Sequence, residues 1–181
     1  MKFADLIHLR QSDRRYDPKP VDRNLITQCI DAARFAPSAN NSQPWFFIVV
    51  DDPELKSKIA RTTFDSVINF NKFTVQAPVI VVMLARKPDL VTRIVSGIKK
   101  RDWSQIDAGI AAAHFCLQAA ELGLGTCMIG WFDEKEVKAL LNIPDNESVA
   151  LLFTLGYTPE GYPNRKKSRR PIEQTLRFNR F

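Results

Sequence analysis

Residues 77–85, Ala-Pro-Val-Ile-Val-Val-Met-Leu-Ala, form the longest apolar run of the chain. The run is about half the length of a membrane-spanning helix, and from Pro78 to Ala85 it is dominated by strand-forming side chains, so it reads as a buried strand. A buried strand requires a sheet with other elements packed over it.

The flanking sequence supplies both. Phe3, Leu6 and Ile7 lie at helical spacing within residues 3–10. Asp22 can cap a second helix whose Leu25, Ile26, Cys29, Ile30 and Ala33 form one stripe, ended by Pro37. Trp45 to Val50 reads as a buried strand, and the chain looks helical from Pro53 to about residue 73. Residues 86–103 turn basic and irregular, as an insertion or lid would. An alanine-rich helix of about 105–122 then ends at Gly123. Thr126 to Gly130 is a short strand, Asp133 and Glu136 are a capping pair for a helix to about Leu141, and Val149 to Leu155 is a further buried strand. One domain spanning residues 1–181 is expected. The tail, 158–181, has too few apolar residues for a core of its own and is expected to wrap over this subunit or a partner.

Composition narrows the function. The start of the chain has no apolar segment of the signal-peptide kind, so a cytoplasmic protein is expected, with no membrane partner. Cys29, Cys116 and Cys127 are odd in number and form no C-x-x-C pair, as reduced buried thiols would be. His8 and His114 lack metal-binding spacing, which argues against a zinc site and predicts no metal. The net charge of +6 suits nucleic acid, an acidic surface or a phosphorylated ligand. Five of those charges sit in Arg165 to Arg170, however, and without them the chain is near +1. A general polyanion binder spreads its charge along a face, so no nucleic-acid partner is expected.

No glycine-rich phosphate loop fits. Gly123-x-Gly125-x-x-x-x-Gly130 lacks the dinucleotide spacing, and Trp131 stands where a P-loop needs lysine. Ser38 and Ser42 lack the context of a hydrolase nucleophile. What remains are cations at the two ends of the chain: Arg10, Arg14 and Arg15, and Lys166, Lys167, Arg169 and Arg170. Brought together they would bind a phosphate; left apart they are solvated surface charge.

Four motifs decide the matter. They are Arg10-Gln11-Ser12-Asp13-Arg14, the segment from Ala36-Pro37-Ser38 to Gln43-Pro44-Trp45, Gly123-Leu124-Gly125-Thr126-Cys127-Met128-Ile129-Gly130, and Lys167-Ser168-Arg169-Arg170-Pro171. In kind, order and coverage of nearly the whole chain they resemble the nitroreductase family. The resemblance implies an α+β fold with a mixed central sheet flanked by helices, completed by a C-terminal segment exchanged between the subunits of a homodimer. It implies FMN at the dimer interface, NADH or NADPH as electron donor and a small-molecule oxidant such as a nitroaromatic or quinone.

By motif position, Arg10, Lys167 and Arg169 would hold the phosphate, Ser12 would add a hydroxyl with Gln11 beside it, and Arg14 would lie at the pyrimidine edge of the flavin. Pro37, Ser38, Ala39 and Asn41 would reach the cofactor from the other subunit. The backbone of Ile129 and Gly130 would pass close to the ring, and Asn69 or Asn71 would donate to its edge, the spacing leaving the choice between them open. No catalytic side chain is implied: flavin N5 takes the hydride, and Arg14 gives electrostatic support. Donor and oxidant would use one flavin face in turn. Residues 86–103, with Arg86, Lys87, Arg93, Lys99, Lys100, Arg101 and Trp103, either cover the substrate or form a solvated loop. The acid, tyrosine and lysine set of the deiodinase and flavin-fragmenting relatives is not found. Two other readings share the same residues: a non-catalytic FMN-binding or storage protein, and a basic nucleic-acid-binding module.

Overall fold

The computed structural model describes residues 1–86 and 103–181. Val79–Ala85 forms β2, and every residue in it is buried. Its side chains divide by parity: Val79, Val81, Met83 and Ala85 enter one core cluster, and Ile80, Val82 and Leu84 the other. This is the two-residue period of an extended chain with both faces covered. β1, Trp45–Val50, pairs with one edge of β2, and β4, Ser148–Gly156, with the other. β3, Gly125–Ile129, pairs with β4, so the order is β1-β2-β4-β3. All three pairings are antiparallel, and the parallel component is an isolated bridge from Ser12 to Thr126 on the outer edge of β3. Beyond Met83, Leu84 pairs with Val149 and passes over Ala150. That bulge lets Val149 and Leu152, three residues apart, share a face.

Helices cover both faces. α2, Arg23–Arg34, and α4, Trp103–Glu121, pack on the first cluster; α3, Pro53–Arg61, and α5, Glu134–Leu141, pack on the second. The Asp22 carboxylate caps α2 by accepting from Asn24 N at 2.8 Å, and Ile26, Cys29 and Ala33 of the expected stripe are buried. Phe115 of α4 lies at the centre of its layer, with its ring centroid 4.9 Å from that of Phe153 on β4. Beyond α4, Gly123 takes φ +75° and Leu124 N donates to Ala119 O at 2.8 Å, a left-handed cap that turns the chain into β3. Asp133 accepts from Glu136 N at 3.0 Å, capping α5 as expected.

Two elements differ from the sequence reading. The helix expected to reach residue 73 stops at Arg61. The hydroxyls of Thr62 and Thr63 turn back to the carbonyls of Ile59 and Ala60, at 2.8 and 2.7 Å, and the Asp65 carboxylate collects Val67 N and Ile68 N in a turn. Only a 3-10 stretch, Lys72–Gln76, follows. α1, Phe3–Leu9, forms where expected but buries no residue, and Phe3 is 66% exposed.

The three cysteines are buried and free; burial pushes the Cys29 thiol up to about 12 and Cys116 to about 11, so both stay protonated and unreactive near neutrality. Of the expected insertion only Arg86 and Trp103 fall within the described residues, so its role as a lid lies outside them. Arg86 pairs with Glu147 at 3.4 Å and lies over the Phe46 ring at 4.2 Å. No helix among the described residues is long and apolar enough to cross a membrane.

Candidate functional site

The segment 10–14 runs along the free edge of β3, bridged at Ser12 and held by Asp13 N donating to Thr126 O at 2.8 Å. Alternate side chains of an extended segment point opposite ways, which accounts for the i, i+2, i+4 spacing of Arg10, Ser12 and Arg14. All three line an open depression of about 300 Å³, with Gln11 beside them and residues 165–169 opposite, while Asp13 turns into the protein.

The tail is fastened to the start of the chain by polar contacts. The Gln11 amide donates to Pro163 O at 3.1 Å, and its carbonyl accepts from Arg165 N at 3.0 Å, so positions 152 residues apart are joined. Asn164 and Lys167 donate to His8 O at 3.3 and 2.5 Å, and the Arg165 guanidinium donates to Ser12 O. Arg14 N donates to the Tyr162 hydroxyl at 3.2 Å.

Among the described residues, none of Arg10, Arg14, Arg165, Lys167 and Arg169 forms an ion pair with a carboxylate. The Lys167 ammonium is held below its ordinary value, first by partial burial and then by the Arg10 and Arg169 charges beside it. Crowded cations with their own ion pairs missing are the chemistry of an anion site, and arginine forks match a phosphate group.

The residues expected at the ring edge lie on neighbouring elements. The Arg14 guanidinium stands 6.0 Å over the Phe73 ring. Asn71, beside Phe73 and buried, donates to Thr63 O at 3.2 Å and to Trp131 O at 3.5 Å, which places it against the Ile129-Gly130-Trp131 segment. Asn69 is exposed, and its carbonyl accepts from Lys72 N.

Pro37, Ser38, Ala39 and Asn41 lie outside the cationic depression. Their turn is tightly specified: Asn40, Asn41 and Gln43 all take left-handed φ, between 45 and 56°. Ser38 Oγ accepts from Gln43 N at 3.0 Å, the Gln43 amide donates to Asn41 O and Oδ1, and the buried Asp107 carboxylate accepts from Ala39 N at 3.1 Å. The structure thus unites Arg10, Gln11, Ser12, Arg14, Lys167 and Arg169, sets Asn71, Ile129 and Gly130 on adjoining elements, and leaves the 37–41 turn apart.

Three residues here escaped the sequence reading: Arg165 as a lining cation, Asp13 and Asp107. The available signal was an acid in an unexpected place. Asp13 stands inside a basic motif and Asp107 on an alanine-rich helix. The Asp13 carboxyl is held above its ordinary value, chiefly by burial, against hydrogen bonds from Gln11 and Thr126 N and the charges of Arg165 and Arg10.

The family model described as "Nitroreductase family" matches residues 7–157. The chain is 28% identical to an NADH dehydrogenase of Thermus thermophilus, over 92% of this chain and 91% of that one. It is similar to the crystal structure of a nitroreductase family protein from Clostridium novyi NT, with a TM-score of 0.77, 31% identity and coverage of 88% and 87% of the two chains. An FMN-dependent nitroreductase from Clostridium difficile superposes with a TM-score of 0.77 at 28% identity, over 99% of this chain and 100% of that one.

Proposed function

Because this chain belongs to the nitroreductase family and is an oxidoreductase of that kind, we propose that it is an FMN-dependent enzyme, a homodimer that carries electrons from NADH or NADPH to a small electron-poor oxidant. The observation that carries the reading is the cationic depression, built from both ends of the chain, whose cations form no ion pair with a carboxylate among the described residues. A phosphate monoester fits that donor set, Phe73 lies under the Arg14 guanidinium, and Asn71, two residues before Phe73, bonds the carbonyl of Trp131 next to Gly130.

FMN, when bound, supplies the redox chemistry, taking a hydride at N5 and passing electrons to an oxidant such as a nitroaromatic or quinone. Arg10, Lys167 and Arg169 hold its phosphate by charge-assisted hydrogen bonds, and Ser12 adds a hydroxyl, with Gln11 keeping the tail in place. Arg14 is a permanent cation at the pyrimidine edge, where it favours negative charge on the ring. Asn71 supports that edge, and the exposed Gly130 after Ile129 lets the backbone approach it.

The second subunit is supported by what the protomer leaves bare. Phe3, Phe35, Ile106 and Phe178 are each at least half exposed, and every residue from Pro171 to Phe181 is exposed. Among the described residues β1 pairs only with β2, so its outer edge is open to an added strand. A partner bringing its own 37–41 turn to the cationic depression accounts for the distance between the two within one chain.

The test is spectroscopic. The purified protein is expected to be yellow with about one FMN per subunit, to bleach anaerobically on addition of NADH or NADPH without oxidant, and to give parallel double-reciprocal lines when donor and oxidant are varied. Yellow colour that resists both donors would make it a binding or storage protein. A colourless protein that FMN does not saturate would return the basic tail to a polyanion role.

A further inference from the structure

The Arg-x-Ser-x-Arg spacing explains three side chains of the 10–14 segment and leaves Asp13 unused. Asp13 is 5% exposed, and both its N–H and its carboxylate are engaged with β3. Its N–H donates to Thr126 O at 2.8 Å, and its carboxylate accepts from Thr126 N at 3.2 Å. Its carbonyl accepts from the Tyr16 hydroxyl at 2.8 Å, and that hydroxyl also bonds Thr154 Oγ1 of β4 at 2.6 Å. Asp13 therefore occupies both backbone polar groups of one β3 residue, Thr126, and is tied through Tyr16 to the neighbouring strand.

The seat of its carboxylate is made by Gly125. A Cβ at 125 would stand 2.8 Å from Thr158 Cγ2, 2.9 Å from Asp13 Oδ2 and 3.1 Å from Asp13 Cβ. Gly123 needs its left-handed φ, but Gly125 does not take a positive φ, so its missing side chain matters as space. Two motifs far apart in sequence are fitted to each other at this point.

We propose that Asp13 is a positioning residue: it fixes the phosphate-binding segment 10–14 to β3 and so sets the span between the phosphate end and the ring end of the cofactor site. The inference rests on the FMN reading above. Thr126 is three residues before Ile129 on the same strand, so clamping Asp13 to Thr126 holds Arg10 and Ser12 at a fixed offset from Ile129 and Gly130. A ligand spanning both ends gains from that offset through effective concentration, whereas a ligand of either end alone does not.

The discriminating experiment titrates FMN-free protein with FMN, riboflavin and inorganic phosphate, the last by competition. Asp13→Ala is expected to weaken FMN about tenfold or more, the scale of leaving the buried Thr126 N–H without its acceptor, and to leave riboflavin and phosphate within about twofold. Asp13→Asn, which keeps a side-chain carbonyl for Thr126 N, is expected to restore FMN affinity to near that of the wild type. Gly125→Ala, made with Thr158→Ser to remove the Cγ2 that the new methyl would also meet and compared with Thr158→Ser alone, should reproduce the Asp13→Ala pattern with the acid still present, and carries the test should Asp13→Ala not fold. Wild-type FMN affinity in folded Asp13→Ala or in the folded Gly125→Ala, Thr158→Ser pair overturns the proposal, as do parallel losses for all three ligands or an Asp13→Asn as weak as Asp13→Ala. A wild-type protein that takes up no FMN defeats the cofactor reading itself, and this inference with it.

Discussion

The backbone N–H of Ala39 donates to the buried carboxylate of Asp107 across 3.1 Å, joining the turn that precedes β1 to the first half of α4. Three left-handed residues make that turn intrinsically costly, at roughly 1 to 3 kcal/mol each. Asp107→Ala removes a charge-assisted bond worth about 1.5 to 3 kcal/mol. The expected outcome is a thermal midpoint lower by several degrees and a weaker FMN complex; an unchanged midpoint would show that the turn holds itself.

Arg10→Ala and Arg169→Ala address the phosphate end. Each is expected to weaken FMN by about 1.5 to 3 kcal/mol, roughly ten- to a hundredfold, and riboflavin far less. Fluorescence titration with both ligands checks this. Equal losses would mean that neither guanidinium reaches a phosphate.

Removing residues 171–181 tests the shared site. None of them is buried in the protomer, so the circular dichroism of the sheet and helices is expected to persist. Light scattering should show the dimer weakened and absorbance the flavin lost together. A truncated chain that remains a yellow dimer would contradict the wrapping role.

The buried acid predicts a pH dependence of stability. Burial raises the Asp13 carboxyl above 3.8 in the folded state, so the folded chain binds this proton more tightly than the unfolded chain. The stabilisation from that proton is fully present below the unfolded value and is lost as pH rises through the folded value. At pH 7 the wild type thus carries the cost of a buried charge that an amide would not. FMN-free Asp13→Asn is expected to melt above the wild type at pH 7, with the gap closing as pH is lowered toward 4. A gap that does not change with pH would place the effect elsewhere.

The strands were legible because burial on both faces leaves an unmistakable apolar run at 78–85, and because Asp22, Gly123 and Asp133 signal helix ends through local chemistry. The overrun beyond Arg61 arose where local chemistry won against pattern. Thr62, Thr63 and Asp65 each satisfy nearby backbone groups with their own side chains, and a reading by apolar spacing passes over that competition. Arg10, Arg14, Lys167 and Arg169 were legible as motif residues, though Arg165 was not. Their supports were not: Asp13 meets Thr126 across 113 positions and Asp107 meets Ala39 across 68, and no local pattern encodes either meeting.

A Cβ at 125 would stand 2.8 Å from Thr158 Cγ2 and 2.9 Å from Asp13 Oδ2, so one absent side chain serves two separate stretches of the chain. A substitution at 125 is therefore felt on two sides at once, and no single compensating change at 13 or at 158 makes room for it.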